Sequence, residues 1–175
     1  MTSDISLRAR ELADVVDAFV RDTVIPFEKD PRNDSHGPTD ELREALQSEA
    51  RNAGLLTPQL PEHLGGHDLN HRETAVVFRA AGYSPLGPIA LNIMAPDEGN
   101  MHLLHKVATR DQQHRFLEPL ASGAIRSAFL MTEPDGGAGS DPSMLATTAE
   151  RDGDDWVISG RKSFITGAQG AGFGI

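Results

Sequence analysis

The sequence predicts an α+β protein, with an N-terminal all-α helical domain followed by the first strands of an antiparallel β domain. Apolar residues recur with helical spacing through the first two thirds of the chain, and after Gly123 they form short runs of strand length. The helices precede the strands instead of alternating with them, which argues against βαβ units. We therefore expect a helical domain over residues 1–124 and a β domain over residues 125–175.

The first helix is predicted over about residues 5–25. Its apolar positions follow the i, i+3, i+4, i+7, i+8 pattern of one helix face, at Leu12, Val15, Val16, Phe19 and Val20. Pro26 is expected to end or kink this helix, because proline lacks the backbone N–H. A second helix is predicted from Thr39 or Asp40 to Gly54, a glycine suited to the position after a helix C-terminus.

Capping signatures place the later helices. The pairs Asn70–Glu73 and Thr109–Gln112 have the spacing of a capping box, so a helix is expected to begin at each. The second of these helices is expected to kink at Pro119. Between them, apolar spacing predicts a short helical stretch around residues 89–94 and a longer helix over about residues 97–107.

After residue 124 the period changes to that of strands. Four strand segments are predicted, at residues 127–132, 145–150, 156–158 and 163–166. Asp152-Gly153 is a strong turn signal, so the second and third segments should form a hairpin. A sheet of this size would keep an open edge, and proteins usually pair or cover such edges. We therefore expect the β domain to continue beyond Ile175 and the chain to be truncated.

Composition narrows the function classes. Sixteen basic and 26 acidic residues give a formal net charge of −10, so neither nucleic acid nor an anionic membrane is the expected partner. The absence of cysteine excludes disulfides, thiolate metal sites and cysteine nucleophiles. No apolar run approaches the roughly 20 residues of a membrane span. The N-terminus lacks the basic start and apolar core of a secretory leader, which predicts a cytoplasmic protein.

Neither the histidines nor the acidic pairs predict a catalytic or metal site. Three histidines are spaced four residues apart, at His63, His67 and His71. Gly65-Gly66 interrupts the helix that would align them as metal ligands. The acidic pairs at residues 97–98 and 154–155 are better explained as helix-start and turn residues, since carboxylates are favourable at the positive end of a helix.

The glycine-rich loop Asp135–Asp141 is the most informative segment for binding. Its glycines let backbone N–H groups converge on one point, which suits phosphate oxygens. It has neither the lysine of a P-loop nor the context of the Rossmann fingerprint, so a simple hairpin connection remains an equal interpretation. Thr132 and Thr166, each at a predicted strand end, could add hydroxyl donors to the same crevice.

Several blocks of the sequence together resemble the acyl-CoA dehydrogenase family. The blocks are Met131–Pro134, Gly139–Asp141 and Asp155–Thr166, with Ala95–Met101 and Phe116–Leu120 upstream. They occur in the family's order with similar gaps and cover essentially the whole chain. The upstream blocks resemble the branch of long-chain and hydroxyacyl-type members.

The resemblance implies an FAD-dependent oxidation of an acyl-CoA thioester to the trans-2-enoyl-CoA. In the family a carboxylate base removes the α-proton, the β-hydrogen leaves as hydride to N5 of FAD, and an electron-transfer flavoprotein accepts the electrons. Family members are usually homodimers or homotetramers. The C-terminal helical domain that supplies the catalytic Glu is absent from these residues. The resemblance therefore names no catalytic residue here and implies that this portion is inactive alone.

The resemblance also carries residue roles over to this chain. Met131 and Thr132 are expected at the polar edge of the flavin, and Thr166 is expected to donate a hydrogen bond near its N5 or O4. Gly139 and Ser140 lie in the loop expected beside the FAD pyrophosphate or the pantetheine of the substrate.

Two departures from the family pattern stand out. Phe164 occupies the place where the family usually has a tryptophan beside the flavin, which keeps an aromatic contact without the indole donor. The loop between Thr132 and Ser140 is about two residues longer than the commonest family pattern. Glu133 and Pro134 are expected to shape the turn rather than to take part in the chemistry.

Two alternatives keep the fold and change the function. The first is a non-catalytic, truncated paralogue that acts as a binding or assembly partner. The second is a flavin-dependent monooxygenase or an acyl-CoA oxidase, because one scaffold can serve several chemistries.

Overall fold

The computed structural model describes residues 5–35, 37–134 and 138–175. The chain forms two compact units, which we call unit 1, up to Ile125, and unit 2, from Arg126 to Ile175. Unit 1 is mainly helical, and the strands of unit 2 follow it, so the predicted α+β class is confirmed. Among the described residues, no helix combines the length and the apolar character needed to cross a membrane.

The α-helices of unit 1 are α1 Leu7–Phe19, α2 Asp40–Asn52, α3 His71–Ala81, α4 Gly87–Ala90, α5 Asp97–Val107, α6 Arg110–Gln112 and α7 Glu118–Ala121. A small hairpin of β1 Asn33–Asp34 and β2 Gly37–Pro38 precedes α2. Short 3-10 and π-helical segments connect several of these elements.

The first helix is longer and less regular than a single α-helix. Ser6 caps α1 by accepting a hydrogen bond from the Ala9 N–H, and after α1 the chain continues as a π-helical turn, Val20–Val24, and a 3-10 turn, Ile25–Lys29. Pro26 lies at the start of the 3-10 turn. Because proline has no N–H to donate, the change of helix type occurs where the sequence predicts a break.

One residue of the predicted apolar stripe points away from the core. Val16 is fully buried, whereas Val15 is 52% exposed. The small side chains of Ala9 and Ala13 are buried instead, so the buried arc of α1 is centred near Val16. At about 100° of rotation per residue, Val15 lies roughly a right angle away from that centre. The prediction for Val15 was wrong because it ignored the alanines.

The core of unit 1 is a single apolar cluster contributed mainly by α1, α2, α3 and α4. Its largest fully buried members include Val16, Val20, Leu42, Leu46, Val77 and Leu91. Helix α1 packs along α3, and α2 packs against α4. Burial of each such side chain contributes about 1.5–3 kcal/mol, so this cluster supplies most of the stability of unit 1.

A buried polar network fixes the end of α7 to this core. Gln47 donates from Nε2 to the Ile89 carbonyl and to Asn92 Oδ1, both at 3.3 Å. Asn92 in turn donates from Nδ2 to the Leu120 carbonyl at 2.9 Å. The last carbonyls of a helix have no partner within the helix. Here Asn92, which lies in the α4–α5 connection and is held by Gln47 of α2, provides a partner for the Leu120 carbonyl.

Both predicted capping boxes are present. Asn70 and Glu73 exchange hydrogen bonds at the start of α3, and Thr109 and Gln112 do so at the start of α6. The predicted kink at Pro119 takes the form of a π-helical turn, Gln113–Leu117, between α6 and α7. Since proline cannot donate to the preceding turn, the hydrogen-bond register changes there.

The described residues of unit 2 form two separate strand pairs. Strand β4, Thr148–Asp152, pairs antiparallel with β5, Asp155–Ser159, around Gly153, which has φ +62°. This is the hairpin that the sequence predicts. Strand β3, Ser127–Ala128, pairs parallel with β6, Phe173–Gly174. The strand predicted over residues 127–132 is present only at its first two residues, which form β3. The sequence did not predict β6 or its parallel pairing, because a strand of two residues carries too little pattern.

The predicted strand at residues 163–166 is not a strand. Phe164 has φ +57°, in the left-handed region, and Gly167 has φ +74° at the start of a 3-10 turn over Ala168–Gly170. The segment therefore bends instead of extending. Its anchor is a hydrogen bond from the Ser163 N–H to the Thr132 carbonyl at 3.0 Å. The alternation of residue types predicted a strand here because it carries no information on this bend.

The buried network predicts a graded loss of stability at Asn92. This residue has φ +56°, and its amide is buried. We expect Asn92→Ala to lower the free energy of unfolding by about 2–4 kcal/mol, because it leaves buried groups unpaired and puts alanine in a left-handed conformation. Asn92→Gly should lose about 1 kcal/mol less, since glycine tolerates that backbone. Urea unfolding followed by far-UV circular dichroism measures both; equal losses would contradict a steric contribution.

Candidate functional site

The six residues predicted to bind a cofactor lie on three segments of unit 2. Met131 and Thr132 follow β3, Gly139 and Ser140 lie in the next loop, and Phe164 and Thr166 follow β5. Hydrogen bonds within unit 2 join these segments.

The Glu133 carboxylate is the centre of this arrangement. Its side chain is 2% exposed. Oε1 accepts from the Thr147 hydroxyl at 2.6 Å, from the Thr147 N–H at 2.9 Å and from Lys162 Nζ at 2.9 Å. Oε2 accepts from the Ala146 N–H at 2.8 Å and the Ala138 N–H at 3.2 Å. A carboxylate offers about four lone-pair sites, so its acceptor capacity is taken up inside the protein.

Lys162 links the Glu133 carboxylate to the Met131 segment. Its side chain is 17% exposed, and Nζ donates both to Glu133 Oε1 at 2.9 Å and to the Met131 carbonyl at 3.0 Å. The next residue, Ser163, donates from its N–H to the Thr132 carbonyl at 3.0 Å. The segments carrying Met131 and Phe164 are therefore held side by side. We call Glu133, Thr147 and Lys162 the Glu133 cluster.

These contacts explain the ionisation of Glu133. The hydrogen bond from the Thr147 hydroxyl, then the Ala146 N–H and the Lys162 ammonium, hold the pKa of this carboxyl well below its ordinary value of 4.5. A general base at neutral pH needs a carboxylate with a raised pKa and a free lone pair. Glu133 has neither, which agrees with the expectation that it shapes the turn.

Close packing around the Glu133 cluster requires a glycine. A Cβ at Gly160 would lie 2.2 Å from Thr147 Oγ1 and 2.7 Å from Thr147 Cβ. Any side chain there would displace Thr147 and its bonds to Glu133. The sequence therefore needs glycine two residues before Lys162 to let β5 approach the Glu133 cluster.

The side chains of Phe164 and Thr132 differ in their availability. The Phe164 ring is 92% exposed, on a backbone with positive φ. Thr132 and Met131 are half-buried.

Both main-chain groups of Met131 already have internal partners, since its N–H donates to the Phe129 carbonyl at 3.1 Å and its carbonyl accepts from Lys162. A bound molecule would meet Met131 through its side chain or the second lone pair of that carbonyl.

The described part of the glycine-rich loop is a tight turn. Gly139 has φ +58°, its carbonyl accepts from the Glu133 N–H at 3.0 Å, and Ser140 is exposed. Asp141 accepts from the Ser143 N–H at 2.9 Å, which closes the loop on the far side. The predicted concavity also includes residues 135–137, which lie outside the described residues.

Thr166 lies in the turn that follows Phe164, and its side chain is exposed. Together with Phe164 and Thr132, it gives unit 2 an exposed aromatic ring and two hydroxyls on hydrogen-bonded neighbouring segments. Such a set can pack against a flat ring and bond its polar edge. It includes no general acid or base.

Unit 1 has a separate cleft of about 600 Å³ between the 59–74 segment and α5. Two pairs of histidine rings lie near it in tilted contact, with centroids 5.8 Å apart for His71 and His102 and 6.3 Å apart for His63 and His105. Within the described residues, no group of three His, Asp or Glu side chains is arranged to hold a metal ion. His67 instead contacts the Gly54 carbonyl at 2.9 Å.

Sequence reasoning missed Thr147 and Lys162 as members of the site. Lys162 lies in a block that carries the family resemblance, but its partner Glu133 is 29 residues away. Thr147 is 14 residues from Glu133. No local spacing could reveal these contacts. The sequence offered one indirect signal for these contacts. Glu133 is an acidic residue at the end of an otherwise apolar and hydroxyl-bearing strand segment.

The chain matches two family models, acyl-CoA dehydrogenase, N-terminal domain, over residues 7–124, and acyl-CoA dehydrogenase, middle domain, over residues 128–175. It is 42% identical over 137 residues to FadE2 of Mycobacterium tuberculosis, named a probable acyl-CoA dehydrogenase; the match covers 75% of this chain and 33% of that protein. The chain thus spans about a third of this relative's length.

Solved structures give the same result for the fold. A Mycobacterium abscessus structure assigned to the acyl-CoA dehydrogenases has a TM-score of 0.77 and 38% identity over 91% of this chain and 42% of that one. Glutaryl-CoA dehydrogenase of Mycobacterium smegmatis, in complex with FADH2, has a TM-score of 0.72 and 24% identity over 95% of this chain and 41% of that one.

The low pKa of Glu133 predicts how unit 2 responds to acid. Because folding lowers this pKa, the carboxylate stabilises unit 2 fully above its unfolded pKa near 4.5, and this contribution is lost as the pH falls below that value. Glu133→Gln should therefore destabilise unit 2 at pH 7 and lose less stability than wild type between pH 5 and about pH 2. Fluorescence of Trp156, the only tryptophan, follows unfolding.

Glu150→Gln is the matched control, since Glu150 is exposed on β4 and the charge change is the same. It should leave the acid response of Trp156 close to that of the wild type. If Glu133→Gln and Glu150→Gln behaved alike, the Glu133 carboxylate would not carry the acid sensitivity.

Proposed function

We propose that this chain, which belongs to the acyl-CoA dehydrogenase family, supplies the N-terminal helical domain and the flavin-binding start of the middle domain of an FAD-dependent enzyme. We place the domain boundary near residue 125. The enzyme would oxidise an acyl-CoA thioester to the trans-2-enoyl-CoA.

The observation that carries this proposal is the exposed ring of Phe164 beside two hydroxyl-bearing segments. The Phe164 ring is 92% exposed, and burying such a ring against a flat cofactor would remove apolar surface from water. Thr132 and Thr166 offer hydroxyl donors for the polar edge of that cofactor. These residues fit a flavin, and the relative in complex with FADH2 supports the same cofactor.

The residues of this chain would hold the cofactor and not perform the proton transfer. Bound FAD would supply the two-electron chemistry by accepting a hydride. Phe164 would cover part of the ring system and exclude water from it, and Thr132 and Thr166 would orient its polar edge. The backbone at Gly139 and Ser140 would lie toward the phosphates.

We place the catalytic base outside the described residues. Glu133 is the one buried glutamate of unit 2 among the described residues, and its lone pairs are occupied. This is the reason for proposing that the chain is inactive by itself. An acyl-CoA substrate, an electron-transfer flavoprotein as acceptor and a homodimer or homotetramer belong to the same proposal.

The first test is FAD binding by hydroxyl variants. Thr132→Val and Thr166→Val keep the side-chain shape and remove the hydroxyl, so each should weaken FAD binding about 3–10-fold, the equivalent of one hydrogen bond. Titration of the apoprotein with FAD, followed by flavin fluorescence, measures this. Thr148→Val, on exposed β4, is the control and should bind FAD as the wild type does. Unchanged affinity in both site variants would remove the two threonines from the proposal.

The second test concerns the acyl chain. We propose that the cleft beside α5 receives the distal part of the acyl group. One wall of this cleft is α5, and the start of α5 lies in one of the sequence blocks that resemble the family. Gly99 lines this cleft, and a Cβ at this position would meet no atom within 4 Å. A side chain can therefore start at Gly99 without a clash at its Cβ, and we expect a larger one to narrow the cleft.

Gly99→Leu should lower kcat/KM for long-chain acyl-CoA at least tenfold relative to short-chain acyl-CoA in the protein as its gene encodes it. Gly99→Ala is the control, because it adds one methyl group and should only stabilise the helix, by about 0.5–1 kcal/mol. Dye-linked oxidation of a series of chain lengths gives the ratio. An equal loss for short and long chains would place the acyl group elsewhere.

A further inference from the structure

We propose that Lys162 is a positioning residue for the cofactor: it fixes the Met131–Thr132 segment against the Ser163–Thr166 segment and neutralises the Glu133 carboxylate beside them. This inference rests on the proposed function, since it takes those segments to hold a flavin. The family match by itself gives Lys162 no role in cofactor binding.

The Lys162 ammonium group contacts two separate segments of the chain. Lys162 Nζ donates to Glu133 Oε1 at 2.9 Å and to the Met131 carbonyl at 3.0 Å. Met131 and Lys162 are 31 residues apart in the chain. Lys162 is therefore the side chain that links the two segments carrying Met131, Thr132 and Phe164, beside the main-chain hydrogen bond from the Ser163 N–H to the Thr132 carbonyl.

Loss of Lys162 would affect the position of the Met131 segment more than the stability of the 138–147 loop. Without Lys162, the Glu133 carboxylate would still accept from the Ala138, Ala146 and Thr147 N–H groups and from the Thr147 hydroxyl. These four donors keep the 138–147 loop in place. The Met131 carbonyl, by contrast, would lose the donor that holds it. The expected defect is therefore in the relation of the two segments, while the loop persists.

Lys162 also balances the charge of Glu133. The lysine side chain is 17% exposed and that of Glu133 is 2% exposed, so the opposite charges cancel in a site with little solvent screening. Removing the ammonium group leaves one negative charge next to the cofactor segments. A negative charge disfavours addition of electrons nearby, so the midpoint potential of the bound flavin should fall.

The experiment compares Lys162→Met with Arg161→Met in the protein as its gene encodes it. Both changes remove one positive charge, but Arg161 is exposed and makes none of the contacts of the Glu133 cluster. We expect Lys162→Met to weaken FAD binding at least tenfold and to shift the flavin midpoint potential to more negative values. Arg161→Met should leave both close to wild type. FAD titration and spectroelectrochemistry give the two quantities.

Lys162→Arg keeps the proposal testable if Lys162→Met does not fold. It retains the charge on a longer side chain, so it should keep the wild-type potential while FAD binding weakens, because the two contact distances change. Hydrogen exchange of the apoprotein adds a readout that needs no flavin. Exchange should rise in peptides covering 127–134 and 160–168 in Lys162→Met and stay at the wild-type level in α1–α3.

The outcomes separate the two proposals. If the wild-type protein binds no FAD, the proposed function fails and the positioning role fails with it. If the wild type binds FAD and Lys162→Met matches Arg161→Met in affinity and potential, only the positioning role is overturned. The positioning role would also be overturned if the FAD affinity of Lys162→Met fell only in proportion to its unfolded fraction and the flavin midpoint potential did not shift. Lys162 would then be a purely structural residue.

Discussion

A carboxylate taken out of water must find donors within the protein, and Glu133 shows what this requirement does to unit 2. Its five hydrogen bonds come from three separate segments of chain. An unpaired buried charge would cost several kcal/mol, so the segments cannot separate without exposing or protonating the carboxylate. The turn after β3, the loop before β4 and the segment after β5 are thereby tied to one point.

In unit 1 the buried acceptors are uncharged main-chain carbonyls. The carbonyls at and just after the end of α7 accept hydrogen bonds from Asn92 and from the arginines of α2, and Gln47 holds Asn92 in place. In both units a buried polar side chain bonds to the main chain of a distant segment. Such bonds contribute modest net stability, about 1 kcal/mol each, but leaving one unmade costs more. They therefore specify the arrangement more than they strengthen it.

The proposed cofactor site follows from this specification. The side chains of Phe164 and Thr166 are exposed and that of Thr132 is half-buried, so the ring and the hydroxyls can meet a ligand. Their backbones, however, are held by the Glu133 cluster and by the Ser163–Thr132 hydrogen bond. A site of this kind has available side chains on a fixed main chain, which lowers the entropy lost when a ligand binds.

Local chemistry determined what the sequence could predict. The sequence alone predicted the helix faces, the capping boxes at Asn70 and Thr109 and the hairpin turn at Gly153. Each of these features depends on residues within about seven positions of one another. The bend at Phe164, the parallel pairing of β3 with β6 and the contacts of Lys162 depend on residues 29 or more positions apart. Only the tertiary structure decided these, because the donors that satisfy a buried acceptor are chosen by proximity in space and leave no periodic trace in the chain.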